Sequence, residues 1–291
     1  MYVRSKQRIV VMGLLPNYDH KPTVLMFDFL TRTWRRGADM PFNCYFSECA
    51  ESSSPEGLIY FAGPLREEEF YYINATHDVL EAYAFNVEEN KWDILPSMNP
   101  HDSYPFFCQG EFFDNKFYVV LNHGRSLYVY DPQRLEWKII GADNNNQGLV
   151  SNCVSAFGRL YLFGYGGLQR RVREYDFANK SFNRIVEFPA HMDVRNVGSA
   201  VLCRDRIFAT DSIHSYNEFY THNIVETVEE NRWTEIEMPL DFPKVMLSTA
   251  TAVQILYQNE QNRFSFDINT FFFYCISSNK KRDITVSDQF K

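Results

Sequence analysis

Four histidines, His20, His77, His123 and His214, lie in polar stretches far apart along the chain, and imidazoles gathered at one point would hold a metal ion. None of the short intervals that let one helix or hairpin present two ligands is found among them, so no metal site is expected. The six cysteines (Cys44, Cys49, Cys108, Cys153, Cys203 and Cys275) stand 5, 59, 45, 50 and 72 residues apart, without a Cys-x-x-Cys pair. They read as buried reduced thiols. No His-Glu-x-x-His, Gly-x-Ser-x-Gly or P-loop run occurs, and Gly164-Tyr165-Gly166-Gly167 leads into Leu168-Gln169-Arg170 in a strand context, where no helix dipole could hold a phosphate. What the residue types do favour is contact. Arginines alternate with Tyr, Phe and His in the polar connecting stretches, and Arg170-Arg171-Val172-Arg173 is the densest basic cluster. Guanidinium forks hold carboxylates through paired hydrogen bonds, and rings supply rigid apolar surface. The expected ligand is an acidic or aromatic-containing peptide segment, with no catalytic residue and no cofactor.

Such residues need a rigid support, and composition says that one exists. Of 291 residues 45% are hydrophobic and 16% aromatic, with 26 Phe, 18 Tyr and 4 Trp, which a disordered or collagen-like chain would not show. A net charge of −8 provides no field to gather a polyanion, so neither nucleic acid nor an anionic membrane is expected as partner. The longest apolar runs, such as Phe117 to Leu121, fall far short of the roughly 20 residues that cross a bilayer. The start, Met1 to Arg8 followed by Ile9-Val10-Val11-Met12, is too short in its apolar part for a signal peptide. These features imply a cytoplasmic protein, with the nucleus as the alternative that Lys280-Lys281-Arg282 suggests. The Asn74-Ala75-Thr76 and Asn179-Lys180-Ser181 sequons would then stay unmodified.

The elements follow from a repeat. An apolar strand ending in Asp or Asn, five mostly polar residues and an aromatic that opens the next strand recur at Phe27-Asp28 to Trp34, Phe85-Asn86 to Trp92, Tyr130-Asp131 to Trp137 and Tyr175-Asp176 to Phe182. A weaker copy has Thr227 in the acidic position and ends at Trp233, and a sixth runs from Asp267 to Phe273. Asp or Asn caps a turn by accepting from backbone just ahead of it, and the aromatic returns to the buried side of the following strand. Each hairpin is preceded by another pair of short strands, as in Gly158 to Gly164, which makes four strands per repeat. Anchor-to-anchor steps of 58, 45, 45, 51 and 40 residues match a four-stranded propeller blade. No 3.6-residue period persists, so the class is all-β.

These residues also resemble the kelch repeat: an apolar strand, Tyr-x-x-Gly, a loop, Tyr-Asp-x5-Trp and then Met-Pro. Tyr161 to Gly164 with Gly166-Gly167, Tyr130-Asp131 with Trp137, and Met40-Pro41, Met98 and Met238-Pro239 carry the likeness. The double glycine is replaced at Gly13-Leu14, Ala62-Gly63, Asn122-His123 and Thr210-Asp211. The layout is most similar to the kelch-like adaptor family, in which the propeller follows a BTB domain, with F-box kelch proteins next. The resemblance implies a lead-in at 1–7, a propeller over 8–276 and a polar tail at 277–291. It implies six blades with the last degenerate, or else a five-bladed ring or a truncated propeller. The innermost strand of the first blade would be supplied from the carboxyl end, with Met246 to Tyr257 as an inner strand and Arg263 to Ile276 as a hairpin. In that family partner peptides bind a rim made of the loops between second and third strands and the loops entering each first strand. By repeat position, the former hold Asn17, Tyr18, His20, Arg66, Tyr72, His123, Arg125, Gln169, Arg170, Arg171, His214 and Tyr216. The latter hold Asn43, Tyr45, His101, Tyr104, Asn152, Arg195, Asn196 and Lys244. The function implied is substrate recognition for a cullin-RING ubiquitin ligase, with the BTB or F-box part supplied outside residues 1–291. An actin-associated kelch scaffold is the alternative binding role. A copper enzyme like galactose oxidase is the alternative from another class, although no spacing here reveals its Tyr, Cys and His constellation.

Overall fold

A computed structural model of the chain describes residues 2–3, 7–14, 22–42, 49–63, 80–98, 108–121, 126–142, 149–166, 169–186, 197–203, 206–215, 218–229, 232–236, 249–252, 256–258, 264–266 and 271–274. Strands and turns account for the order among these residues, and no helix occurs among them. Five antiparallel sheets follow one another, each with its four strands in sequence order. The first comprises β1 (Tyr2–Val3), β2 (Arg8–Leu14), β3 (Pro22–Asp28) and β4 (Thr33–Arg36), and the second β5 (Ala50–Ser53), β6 (Leu58–Gly63), β7 (Leu80–Asn86) and β8 (Lys91–Met98). The third comprises β9 (Cys108–Phe113), β10 (Lys116–Leu121), β11 (Ser126–Asp131) and β12 (Glu136–Ala142), and the fourth β13 (Leu149–Ala156), β14 (Arg159–Gly166), β15 (Gln169–Asp176) and β16 (Ser181–Val186). The fifth is built from β17 (Val197–Cys203), β18 (Arg206–Ser215), β19 (Glu218–Glu229) and β20 (Arg232–Ile236).

The capped hairpin expected at each repeat is present in the first four sheets, with the same atoms in the same roles. Asp28 Oδ1 accepts from the backbone N–H of Leu30 and Thr31 (2.9 and 3.1 Å), and Asn86 Oδ1 from Glu88 and Glu89 (both 3.0 Å). Asp131 Oδ1 accepts from Gln133 and Arg134, and Asp176 Oδ1 from Ala178 and Asn179. Four residues past each anchor the chain turns through positive φ, at Arg32 (55°), Asn90 (55°), Leu135 (54°) and Lys180 (51°). This left-handed step brings the returning aromatic opposite the ring before the anchor, in the pairs Phe27 with Trp34, Phe85 with Trp92, Tyr130 with Trp137 and Tyr175 with Phe182. Their ring centroids lie 5.2, 4.9, 5.2 and 5.0 Å apart. The fifth hairpin has Thr227 in the anchor position, and its register differs. Trp233 pairs with Thr227 itself, one step off the register of the other four, and a bulge follows before Glu229 meets Arg232. A hydroxyl caps more weakly than a carboxylate.

Apolar residues from facing sheets interleave between each successive pair. Val10, Met12, Val24 and Met26 of the first sheet meet Ile59, Phe61, Tyr83 and Phe85 of the second. Tyr60, Ala62, Ala82 and Ala84 meet Phe117, Val119, Tyr128 and Tyr130. Tyr118, Val120 and Val129 meet Leu160, Leu162 and Tyr175, and Tyr161, Phe163 and Val172 meet Ile207 and Ala209. Each fully buried ring or aliphatic side chain contributes about 1.5–3 kcal/mol. The first strands stand side by side in succession, β5 against β9, β9 against β13 and β13 against β17. Sheets that share one edge while stacking face on face are blades arranged about an axis.

Three details depart from expectation. The edge of the first sheet is occupied by Tyr2–Val3, paired with Ile9 and Arg8, so no strand from the carboxyl end is needed there. Met246 to Tyr257 is not one inner strand, nor does Arg263 to Ile276 fold on itself. Instead β21 (Thr249–Ala252) pairs with β24 (Phe271–Tyr274), and β22 (Leu256–Gln258) with β23 (Phe264–Phe266). Together they make one long, interrupted hairpin, and β21 lies beside β17. The third departure is Trp34, which was expected to be buried and is 51% exposed.

Candidate functional site

The loop-bearing ends of the fourth and fifth sheets are where the described residues reach the expected rim. In the fourth sheet the ladder places Leu149, Tyr165 and Arg170 in one row and Val150, Gly164 and Arg171 in the next. A bulge between Val150 and Asn152 then sets Asn152 opposite Phe163. Asn152, Arg170 and Arg171, drawn from both kinds of connection, therefore share one end of one sheet. Gln169, Arg170 and Arg171 are not loop residues, however. The β14–β15 ladder extends to Gly166 and Gln169. Arg173, further down β15, carries its guanidinium 5.5 Å from the centre of the Phe182 ring, which holds it to the sheet.

His214 likewise belongs to a strand. It pairs with Phe219 in a β18–β19 ladder that runs on to Ser215 and Glu218. Among the described residues the β17 pairings end at Val197 with Asp211, and Ser212 to Ser215 pair with β19. Asn17, Tyr18, His20, Asn43, Tyr45, Arg66, Tyr72, His101, Tyr104, His123, Arg125, Arg195, Asn196, Tyr216 and Lys244 lie outside the described residues.

One chemically distinctive residue escaped sequence reasoning. Glu111 of β9 reaches the adjoining first strand, where its Oε1 accepts from Ser155 N–H (3.1 Å) and Ser155 Oγ–H (2.6 Å). Loss of water around it pushes its pKa up to about 7, against the pull of those two hydrogen bonds. The same surroundings push the neighbouring Cys153 thiol well above its usual value. The group joins two blades rather than facing a cleft. Glu111 stands in an ordinary alternating strand, so no sequence signal distinguished it. Glu174, also buried, is held by Arg159 at 2.9 Å. Cys49 and Cys153 are both buried. Among the described residues, no group of three His, Cys, Asp or Glu side chains is placed to share a metal ion.

No family model matches the chain. Two curated proteins of Arabidopsis thaliana do. F-box/kelch-repeat protein At1g80440 is 28% identical over 203 residues, which is 65% of this chain and 51% of the relative. F-box/kelch-repeat protein At1g15670 is 32% identical over 114 residues, 38% of this chain and 28% of the relative. The chain thus spans about half, or less, of the length of the curated relatives it matches. Among solved structures, YjhT superposes with a TM-score of 0.59 at 12% identity, covering 84% of this chain and 87% of that one. At that identity the likeness speaks for the fold alone. The repeats are kelch repeats and the fold is a kelch-type β-propeller.

Proposed function

We propose that this kelch propeller is a non-catalytic recognition module that docks a segment of another protein on the loop-bearing end of its blades. The observation that carries the reading is the meeting of Asn152, Arg170 and Arg171 on adjacent rows at one end of the fourth sheet. A basic end on a rigid sheet suits carboxylates, since the backbone beneath it needs no reordering on binding. The partner segment is then acidic, with aromatic side chains to pack among the ring-rich neighbouring stretches. The similarity to F-box/kelch-repeat proteins supports a finer reading, in which the segment belongs to a substrate of a cullin-RING ubiquitin ligase.

Affinity capture followed by mass spectrometry, with the wild type and the Arg170→Glu, Arg171→Glu double variant, tests both levels. Partners lost from the variant at an unchanged melting temperature support docking at this end, and cullin components among them support the ligase role. Unchanged capture, or equal loss of fold and capture, contradicts the proposal.

A further inference from the structure

Neighbouring first strands touch through a repeated bond whose acceptor differs from blade to blade. Ser52, Glu111 and Val154 hold the same place in β5, β9 and β13, each paired with a tyrosine of its second strand, Tyr60, Tyr118 and Tyr161. A side chain at that place can reach the N–H one step later in the next first strand. Ser52 Oγ accepts from Phe112 N–H at 2.8 Å, which ties the second blade to the third. Glu111 Oε1 accepts from Ser155 N–H at 3.1 Å, which ties the third to the fourth. Val154 has no acceptor to offer, so its side chain cannot repeat the tie towards the fifth.

The middle tie is the one that can change its charge. A hydroxyl suffices at this place, as Ser52 shows, yet β9 puts a carboxyl there. Both of its bonds to Ser155 fall on Oε1, the second being from Ser155 Oγ–H at 2.6 Å. A neutral carboxyl can keep this arrangement, with its carbonyl oxygen accepting twice and the proton on the other oxygen. An ionised carboxyl spreads its charge over both oxygens, and donors on one of them leave the other to be solvated at a cost. Glu111 is partly rather than wholly buried, so protons from solvent can reach it.

No neighbouring cation offsets the charge. The strands packed on β9 are β5, β6, β10 and β13, and their titratable groups are Glu51, Tyr60, Lys116, Tyr118 and Cys153. Lys116 is the cation among them, and it has no part in the pKa of Glu111, which burial raises and Ser155 alone lowers. The Cys153 thiol, pushed well above its usual value, stays protonated and uncharged at neutral pH.

We propose that the contact of Glu111 with Ser155 is a proton-operated joint between the third and fourth blades, shut while the carboxyl is protonated and loosened when it ionises. The folded pKa of about 7 lies above the ordinary 4.5, so the joint has its full strength below 4.5 and loses it as the pH rises through 7. The tie from Ser52 to Phe112 is made by a group that does not titrate and carries no such dependence. The joint is a property of the blade interface and does not rest on the docking reading.

Hydrogen exchange tests the proposal, read by NMR on the isotope-labelled full chain from pH 5 to pH 8 and corrected for the intrinsic exchange rate at each pH. Protection of Ser155 N–H is expected to fall by about tenfold across that range, while protection of Phe112 N–H stays level. Glu111→Gln keeps an acceptor and cannot ionise, so it is expected to hold Ser155 protection level throughout. Three results would overturn the proposal. Protection of Ser155 that stays constant or rises with pH would mean that the charged acceptor holds at least as well. An equal fall at Phe112 would mean that the whole fold loosens rather than this joint. A fall that persists in Glu111→Gln would mean that another group is titrating. The comparison of Ser155 with Phe112 is made within the wild-type chain, so it decides the matter whether or not the variant folds.

Discussion

At the scale of single residues, the carboxylate anchors do more than mark the turns. In Asp28 and Asp176 the backbone donors ahead of each group, first among them Thr31 and Asn179, hold the carboxyl below its usual range. Groups depressed in this way stabilise the fold above their unfolded pKa, and that contribution fades as the pH falls through the folded value. Glu111 acts in the opposite sense. Its folded pKa of about 7 lies above the ordinary 4.5, so the folded state holds the proton more tightly, and stability on its account is full below 4.5 and declines as the pH rises through 7. Glu111→Gln retains an acceptor for Ser155 and carries no charge to desolvate. It should therefore raise stability by on the order of 1 kcal/mol at pH 8 and change it little at pH 5, as denaturant titrations at the two pH values would show. A loss of stability at pH 8 would mean that the charged carboxylate is what holds the blades together.

Among the elements, the hairpins were legible because two local devices coincide, a capping carboxylate and an aromatic at a fixed offset of six. Where one device is missing the offset no longer dictates the register, as Thr227 and Trp233 show. Tyr2–Val3 escaped notice because two residues are too few to display an alternation, and its place is set by pairing with Ile9 and Arg8. The broken hairpin of β21 to β24 was misread because apolar runs such as Phe271-Phe272-Phe273 carry no period that reveals which partner they choose. The rim residues were assigned by repeat position, and at Gln169 to Arg171 that took strand for loop, since ladder length depends on pairing rather than on residue type. Close approach of first strands is likewise set by the partner. A Cβ on Gly110 would lie 2.8 Å from Glu51 N and from the Phe117 ring, and 3.1 Å from Ala50 C. The backbone of β5 cannot yield without parting the two blades. Gly110→Ala should accordingly cost about 1–3 kcal/mol in denaturant unfolding, and a neutral result would show that β5 and β9 are not held this closely.

For the whole molecule, the account rests on succession: among the described residues each blade packs a face on the next, and Trp92, Trp137 and Tyr175 of the second, third and fourth blades donate to Ala38, Pro96 and Ile140 of the blade before. Such an arrangement spreads stability over nearest-neighbour interfaces. It also brings the same end of every blade to one side, the side on which we place partner docking. The repeat period in the sequence foretold the succession, whereas these bonds could not be foreseen, because they join residues 35 to 54 positions apart through carbonyls that carry no sequence signature. The most direct test is a nuclear Overhauser spectrum of the isotope-labelled chain, in which the indole N–H resonances stand apart from the rest. The indole proton of Trp92 should show a cross-peak to Ala38, and that of Trp137 to Pro96 or Ser97, each reaching the preceding blade. If both indoles show cross-peaks only within their own sheets, the blades do not succeed one another in this way.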